Sequence, residues 1–375
     1  MSRASLKLLS ILAIGALVFT ACSSDDPDEG ASDQQASGDE TWLVEAQASA
    51  DESTEWPTTI NAAALGDVEP ADSMTLYFIG CDQSIPGCVA QVEGFEQAGE
   101  ELGYDVEVCD AKFDVAAFQN CMNIAVEASP DAIVNNARPQ SDAPEAYEAA
   151  HAADIPVIGQ FTSEKPDPAT GNSAEVGYVC ESEGEMLGDY IVAESEGTAQ
   201  VAMFADTVYR CNQQRADGVK KALDKCPTCS IDIQQFSVGT AQTDLPPMIQ
   251  ATLQSDQDLT WVVGSPGLAG TMAADAIRQA SREDQISVGT FDGDEPEMAL
   301  VRQDDIIKAN VVSGVYENGW TVMDVILRLA AGQTIPDNIS NPTTILFTQE
   351  NAPAEGTYEG AENFREQFAQ LWGVA

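Results

Sequence analysis

The sequence predicts an α/β protein of two lobes, each a parallel sheet covered by helices on both faces. Three observations carry that expectation. Short apolar runs alternate with helical stretches of roughly ten to fifteen residues. The alternation restarts midway along the chain. The 375 residues exceed what one small core accommodates and suit two lobes of about 120–160 residues behind an N-terminal lead.

The first run of alternation begins at Met74. Leu76-Tyr77-Phe78-Ile79 reads as a buried strand, followed by a helix over 89–102 that stops at Gly103. A strand over 106–108, a helix over 115–128, a strand over 132–134, a helix over 143–152 and a strand over 156–158 continue it. The second run opens with a helix over 184–194 and a strand over 200–204. Helices over 213–223, 245–254 and 272–280 then alternate with strands over 230–236, 260–263 and 286–291. A strand over 307–312 and a helix over 320–331 follow. In 361–372, Phe364, Phe368, Leu371 and Trp372 share one helical face, which reads as packing. Strands that alternate with helices in this way make parallel sheets covered on both sides.

Ahead of this body, Arg3 and Lys7 precede an apolar run over 8–19, then Thr20, Ala21 and Cys22. A positive start, a short apolar stretch and small residues at a cut describe a signal peptide over 1–21. The run is too short to span a bilayer, which takes roughly 20 residues. Small residues leading into one cysteine resemble the lipobox of bacterial lipoproteins, with Phe19 where that motif usually has Leu. The resemblance implies acylation of Cys22 and a membrane tether. Residues 23–41 are rich in Asp, Ser, Gln and Gly and read as flexible. A short helix over 42–54 and an extended stretch from Trp56-Pro57 complete a lead-in.

The chain carries 62 acidic and 16 basic residues, a net charge of −46. Such a chain repels nucleic acid and an anionic membrane surface alike, which makes a covalent tether the more useful. The acids are spread evenly, as on a surface adapted to salt; a polycationic ligand is the sharper alternative. Besides Cys22 there are eight cysteines: Cys81, Cys88, Cys109, Cys121, Cys180, Cys211, Cys226 and Cys229. An even number in an exported chain points to disulfides, of which eight cysteines allow about 105 pairings. Order along the chain favours the local pairs Cys81–Cys88, Cys109–Cys121, Cys180–Cys211 and Cys226–Cys229. With His151 the only histidine, Cys226-Pro227-Thr228-Cys229 reads as a bridge and not as a zinc half-site. No metal or cofactor is expected.

Ligands of open parallel sheets bind beyond the carboxyl ends of the strands. The segments there are 81–85 with Asp82 and Gln83, 135–138 with Asn135, and 160–162 with Gln160 and Phe161. In the second run they are 206–213 with Tyr209, Asn212 and Gln213, then 264–266 with Ser265, and 292–294 with Asp292. Amide, hydroxyl, carboxylate and aromatic groups of this kind suit a neutral polar solute. An enzyme is disfavoured: His151 sits at a helix end, and Gly264-Ser265-Pro266-Gly267 lacks the G-x-S-x-G elbow. With so many carboxylates, an acid pair of the glycosidase kind carries no information.

Gly94-Phe95-Glu96-Gln97-Ala98-Gly99 through Tyr104, then 153–158, 188–191, Arg215-Ala216-Asp217-Gly218-Val219 through Leu223, and Gly289-Thr290-Phe291-Asp292-Gly293 carry a resemblance. Over about 74–348 the chain resembles type I periplasmic binding proteins of the ribose/galactose class, the receptors of sugar-type ABC importers. The resemblance implies two Rossmann-like lobes joined by a three-segment hinge near Val179, Ser313 and Thr344. It divides the chain into a first lobe of 73–178 plus 314–343 and a second of 179–313 plus 344–375, after a tether and lead-in over 22–72. It implies that Asp292 bonds solute hydroxyls, and that Gln213 stands where an arginine often clamps the ligand. Gln160-Phe161 replaces a usual Asp-Arg pair, Gly87 and Cys88 replace two rings, and Ser265-Pro266 replaces Asn-Asp. Tyr209, Phe161 and Tyr316 are the candidates for the missing stacking surface, and Ser313 is counted with the site. The implied function is capture of a sugar or polyol by a monomer and delivery to an ABC permease with its ATPase. A sensor for a chemoreceptor or kinase is the alternative. A repressor of this fold would need a helix-turn-helix where the signal peptide stands.

Overall fold

The computed structural model describes residues 40–66, 68–177, 179–303, 306–335 and 341–375. The expected signal peptide, Cys22 and the tether up to residue 39 lie outside the described residues. After α1 (Thr41–Ser53), the chain runs β1 (Thr75–Gly80), α2 (Pro86–Leu102), β2 (Asp105–Asp110), α3 (Val115–Ala128), β3 (Ala132–Asn136), α4 (Pro144–Ala152), β4 (Val157–Gln160) and β5 (Ala174–Val176). It continues α5 (Cys180–Glu194), β6 (Gln200–Asp206), α6 (Arg210–Leu223), β7 (Ser230–Phe236), α7 (Ala241–Ser255), β8 (Trp261–Ser265), α8 (Gly267–Gln279), β9 (Ser287–Phe291) and α9 (Glu295–Arg302). It ends with β10 (Ile307–Ser313), α10 (Val315–Ala330), β11 (Thr344–Phe347) and α11 (Phe364–Trp372).

Two sheets result. The first is ordered β2-β1-β3-β4-β5, all parallel; the second is β11-β10-β9-β8-β6-β7, parallel except where β11 runs against β10. Side chains alternate across each strand, and this sorts the core. Leu76 and Phe78 face α2, α10 and α11, packing with Phe95, Trp320 and Phe364. Tyr77 and Ile79 face α3 and α4, packing with Phe118, Met122 and Tyr147. In the second sheet Ala202 and Phe204 meet α7 and α8, while Val201 and Met203 meet α5 and α6.

Most helices begin about a turn earlier than the apolar spacing suggests. In α2, α5 and α6 the first turns, Pro86-Gly87-Cys88, Cys180-Glu181-Ser182 and Arg210-Cys211-Asn212, are small or polar and so carry no apolar stripe. Two elements have too little pattern to foresee. These are the three-residue β5, which adds to β4, and α9, whose first turn is Glu295-Pro296-Glu297.

The chain passes between the sheets from β5 into α5, at Ser313-Gly314 between β10 and α10, and at Thr343-Thr344 ahead of β11. Two further passages flank these. Helix α1 packs on the second lobe, with Ala46 in the core beside Leu187 and Ile191, whereas Leu65 is buried in the first. The lead-in is thus a packed strap and not a loose tether from residue 41 onward. Trp56 lies between Phe347 and Tyr358, at 5.5 and 5.7 Å between ring centroids, and Pro57 accepts from Glu362 N at 2.9 Å.

The second departure concerns 344–375, which the sequence reading assigns wholly to the second lobe. β11 lies there, and so do Ala352 and Tyr358 beyond it. Ala361, Phe364, Phe368 and Trp372 belong to the core of the first lobe, and Trp372 stacks on Trp320 at 5.3 Å. A helix whose apolar face carries three large rings goes where a ring awaits it, and α10 supplies Trp320. Among the described residues no helix is long and apolar enough to cross a membrane.

Candidate ligand-binding cleft

In both sheets the strand order reverses beside a central strand, β1 in one and β6 in the other. Loops leaving the carboxyl ends there diverge and leave a crevice. The two crevices face each other across a cleft of about 300 Å3. The first lobe contributes Ile85, Gln91, Phe113, Asn136 and Phe161; the second contributes Tyr209, Asn212, Arg215, Pro266, Leu268, Asp292 and Asp294. The walls are largely apolar, and the rings of Phe113 and Tyr209 meet across it at 5.5 Å.

The floor is organised around Arg215. Its Nε donates to Glu183 Oε2 at 2.7 Å and its Nη1 to Asp292 Oδ1 at 2.7 Å, while its guanidinium lies 4.6 Å from the centre of the Phe291 ring. The arginine side chain is only 4% exposed and Glu183 1%, but Asp292 keeps 30% open to the cleft. Burial pulls the guanidinium's pKa down, yet the charges of Asp292 and Glu183 more than offset it and hold it above its usual range. Glu183 also accepts from Ser313 Oγ at 2.6 Å, and Ser313 Oγ lies 2.7 Å from Thr344 Oγ1. A continuous chain of bonds therefore runs from the cleft to the second and third passages between the lobes.

Local sequence explains why Arg215 is there. Helices α5 and α6 pack glycine to backbone: a Cβ on Gly218 would meet Glu181 O, and one on Gly184 would meet Arg215 O. That close approach brings Arg215 onto Glu183. The Cys180–Cys211 disulfide, 5.3 Å between Cα atoms, joins the first turns of the same two helices. Three other disulfides are present: Cys81–Cys88 at the cleft, Cys109–Cys121 between β2 and α3, and Cys226–Cys229 after α6. Cys180, Glu183 and Cys211 have the spacing of a metal site, but the two sulfurs are bonded to each other and offer no thiolate.

The sequence-derived candidates divide into two sets. Asp292, Asn212, Tyr209 and Phe161 line the cleft. Asn212 is bonded to Asp206 at 3.2 Å and to Ser265 at 2.9 Å, so Ser265 supports the floor from behind. Gln160 does the same in the first lobe, fully buried and bonded to Asn136 at 2.8 Å and to Asn318. Asn135 turns away and binds Tyr147 Oη at 2.7 Å; its neighbour Asn136 is the one that lines the cleft. Asp82 closes its own turn by accepting from Ser84 N at 2.8 Å, and the backbone N of Gln83 is held by Asp110 at 3.2 Å. Ser313 sits in the hinge network. Gln213 is exposed on α6 and donates to Thr207 O at 2.8 Å. Tyr316 points to Glu93 at 2.8 Å, and Val315 faces the cleft instead.

The residue that sequence reasoning passes over is Arg215. It stands in the quoted run 215–223, two positions past Gln213 on the face of α6 turned to the cleft. Phe113 is missed because it follows the edge strand β2, and Asp294 because it follows the more prominent Asp292.

Burial raises the Tyr209 hydroxyl to about 12. Asp294 is raised by its crowded surroundings and then by the charge of Asp292. Behind the floor, Glu297 is buried with Oε1 held by Thr271 Oγ1 at 2.8 Å and Oε2 without a partner among the described residues. Burial first, then Asp294 and Asp292, push it up to about 7.

Residues 76–334 match the family model of the periplasmic binding protein domain, and the chain belongs to that family. Its members bind solutes outside the cytoplasm and are not enzymes. Among solved structures, the chain is similar to a glucose-galactose binding protein from Geobacillus stearothermophilus. That match has TM-score 0.66 and 18% identity, covering 75% of this chain and 99% of that one. It is also similar to the binding component of an arabinose ABC transporter from Shewanella sp. ANA-3. There the TM-score is 0.65 and the identity 19%, covering 80% and 97%. A third is an ABC transporter solute binding protein from Mycobacterium smegmatis with bound glycerol, with TM-score 0.65 and 19% identity, covering 77% and 100%. At these identities the likeness establishes the type I fold with its two parallel-sheet lobes. No curated protein matches the chain.

The raised Glu297 has a definite consequence. A carboxyl at about 7 in the native state against 4.5 in the unfolded chain keeps a proton that unfolding releases. Its contribution is complete below the lower value and is lost as pH climbs to the upper one. Glu297→Gln should gain on the wild type over that window, by roughly 3 kcal/mol at its top. Urea unfolding of both proteins across pH checks this; a difference independent of pH contradicts it.

Proposed function

We propose that this protein is the receptor of an ABC importer, closing its two lobes over a sugar or similar small polar solute and presenting the closed form to a permease. The observation that carries this reading is the cleft itself. It is built from both lobes at the carboxyl ends of their strands, with apolar and aromatic walls and a polar floor wired to the hinge. Rings cover the apolar face of a sugar while carboxylates and amides take its hydroxyls. Solute bridging the lobes stabilises the closed form by the difference in its affinity for the two forms. The ligands bound in similar structures, arabinofuranose and glycerol among them, point to the same class.

Asp292 is the chief solute-bonding residue in this reading, with Asn212 and Tyr209 from the second lobe and Phe161 from the first. Arg215 holds Asp292 in place. The protein acts as a monomer and carries no cofactor. The extracytoplasmic setting agrees with a signal peptide over 1–21, an acylated Cys22 and oxidised cysteines.

A thermal-shift screen of the full-length protein in detergent and high salt, against sugars, polyols and nucleosides, tests the receptor reading. At 100 times its dissociation constant a true ligand adds roughly 2.7 kcal/mol, and Asp292→Ala should abolish the shift. A panel without any shift contradicts the reading. The anchor is tested separately in the native host, where Cys22→Ser should move the protein from the membrane fraction to the medium; unchanged membrane retention counts against acylation.

A further inference from the structure

The cleft is unevenly equipped for a neutral solute. Its one guanidinium is bound between Glu183 and Asp292, so the group as a whole remains anionic. Asp292 still presents 30% of its side chain to the cleft. Two residues on, Asp294 lines the same cleft, is exposed to it, and forms neither a side-chain hydrogen bond nor an ion pair among the described residues. From the opposite lobe comes an independent observation. Asn136 is 1% exposed and lines the cleft; its Nδ2 is committed to Gln91 and Gln160, at 2.6 and 2.8 Å. Its Oδ1 has no partner, although a buried acceptor ordinarily has one. Three acceptors in the cleft thus have capacity to spare, two of them carboxylates, with Asp292 Oδ2 already accepting from Gly267 N at 2.9 Å; the walls include the rings of Phe113, Phe161 and Tyr209.

We propose that the solute carries a protonated amine, received by Asp292 and Asp294, on a ring covered by Phe113, Phe161 and Tyr209: an amino sugar or comparable aminated polyol. This rests on the receptor reading and narrows it. A hydroxyl would satisfy one acceptor, but it would leave Asp292 and Asp294 as adjoining like charges in a cleft that closure dries. Loss of contact with water is the main cause of the raised pKa of Asp294, and the charge of Asp292 adds to it in the same direction. An ammonium relieves the repulsion and forms charge-assisted hydrogen bonds to both, stronger than neutral ones. Aromatic faces beside a cation add to the attraction. The remaining donors of an amino sugar have Asn136 Oδ1 to meet.

The test is calorimetric titration of the full-length protein in detergent with matched probes: D-glucosamine and D-galactosamine against D-glucose, D-galactose and N-acetyl-D-glucosamine. The amines should bind about tenfold tighter than their neutral counterparts, and acetylation of the nitrogen should remove the advantage. Asp294→Asn should also remove it, with the melting temperature of the empty variant confirming that it folds. Neutral sugars that bind as tightly as the amines, or an advantage that survives Asp294→Asn, overturn the inference while the receptor reading stands. If none of the sugars binds, the inference and the sugar reading fall together.

Discussion

The structure turns on a buried arginine that answers to two carboxylates in different parts of the molecule. Arg215 reaches Asp292 at the floor of the cleft and Glu183 on the helix that begins at the first passage between lobes. Glu183 in turn holds Ser313, and Ser313 lies against Thr344, so the other two passages end in the same network. A desolvated charge stays in place only if its partners remain. Removing any member leaves an uncompensated charge or an unpaired polar group, with a cost of about 3–5 kcal/mol for a broken buried pair. That cost lets the network fix a geometry, even though its net contribution to stability is small.

Everything around the network serves to hold α5 against α6. Glycines at 184 and 218 let the helix backbones approach closely, and the Cys180–Cys211 disulfide ties their first turns. Substituting alanine for a helical glycine ordinarily gains about 1 kcal/mol of helix propensity. Here a Cβ at 218 would strike the Glu181 carbonyl of the neighbouring helix, and overpacking of that kind costs about 1–3 kcal/mol. The packing term is the larger, which accounts for a helix former being absent where propensity alone would place one. The strap of residues 54–66 and the return through 358–361 run beside each other from the second lobe to the first, with Trp56 on Tyr358 and Pro57 O accepting from Glu362 N. Glu317 joins that arrangement by accepting from Ala361 N at 2.7 Å and Thr343 N at 3.1 Å.

The two-lobed α/β architecture was legible in the sequence because parallel strands buried on both faces are short apolar runs, and these recur on schedule. The positions of β1, β6 and β9 follow from Leu76–Ile79, Gln200–Phe204 and Ile286–Phe291 within a residue or two. Helix starts were less legible, since first turns that are small or polar carry no apolar stripe. The site was legible to the level of segment but not of side chain. Asp292 and Phe161 enter the cleft, whereas Asn136 takes the place expected of Asn135, because a strand's side chains alternate and pattern alone does not say which face is which. Gln213 and Arg215 differ by two positions on a helix, a rotation of roughly 200°, enough to take one to solvent and bring the other to the floor. The destination of α11 was illegible for another reason: its rings announce that it packs but not against which lobe.

The central claim is that the floor of the cleft and the hinge are one energetic unit. Asp292 and Ser313 share no direct side-chain bond and are joined through Arg215 and Glu183. A double-mutant cycle on unfolding free energy, with Asp292→Asn, Ser313→Ala and the pair, measures that link without any ligand. The account predicts a coupling of at least about 0.5 kcal/mol, as for residues in one network. Costs that add to within about 0.3 kcal/mol would place the two residues in independent parts of the molecule and contradict it.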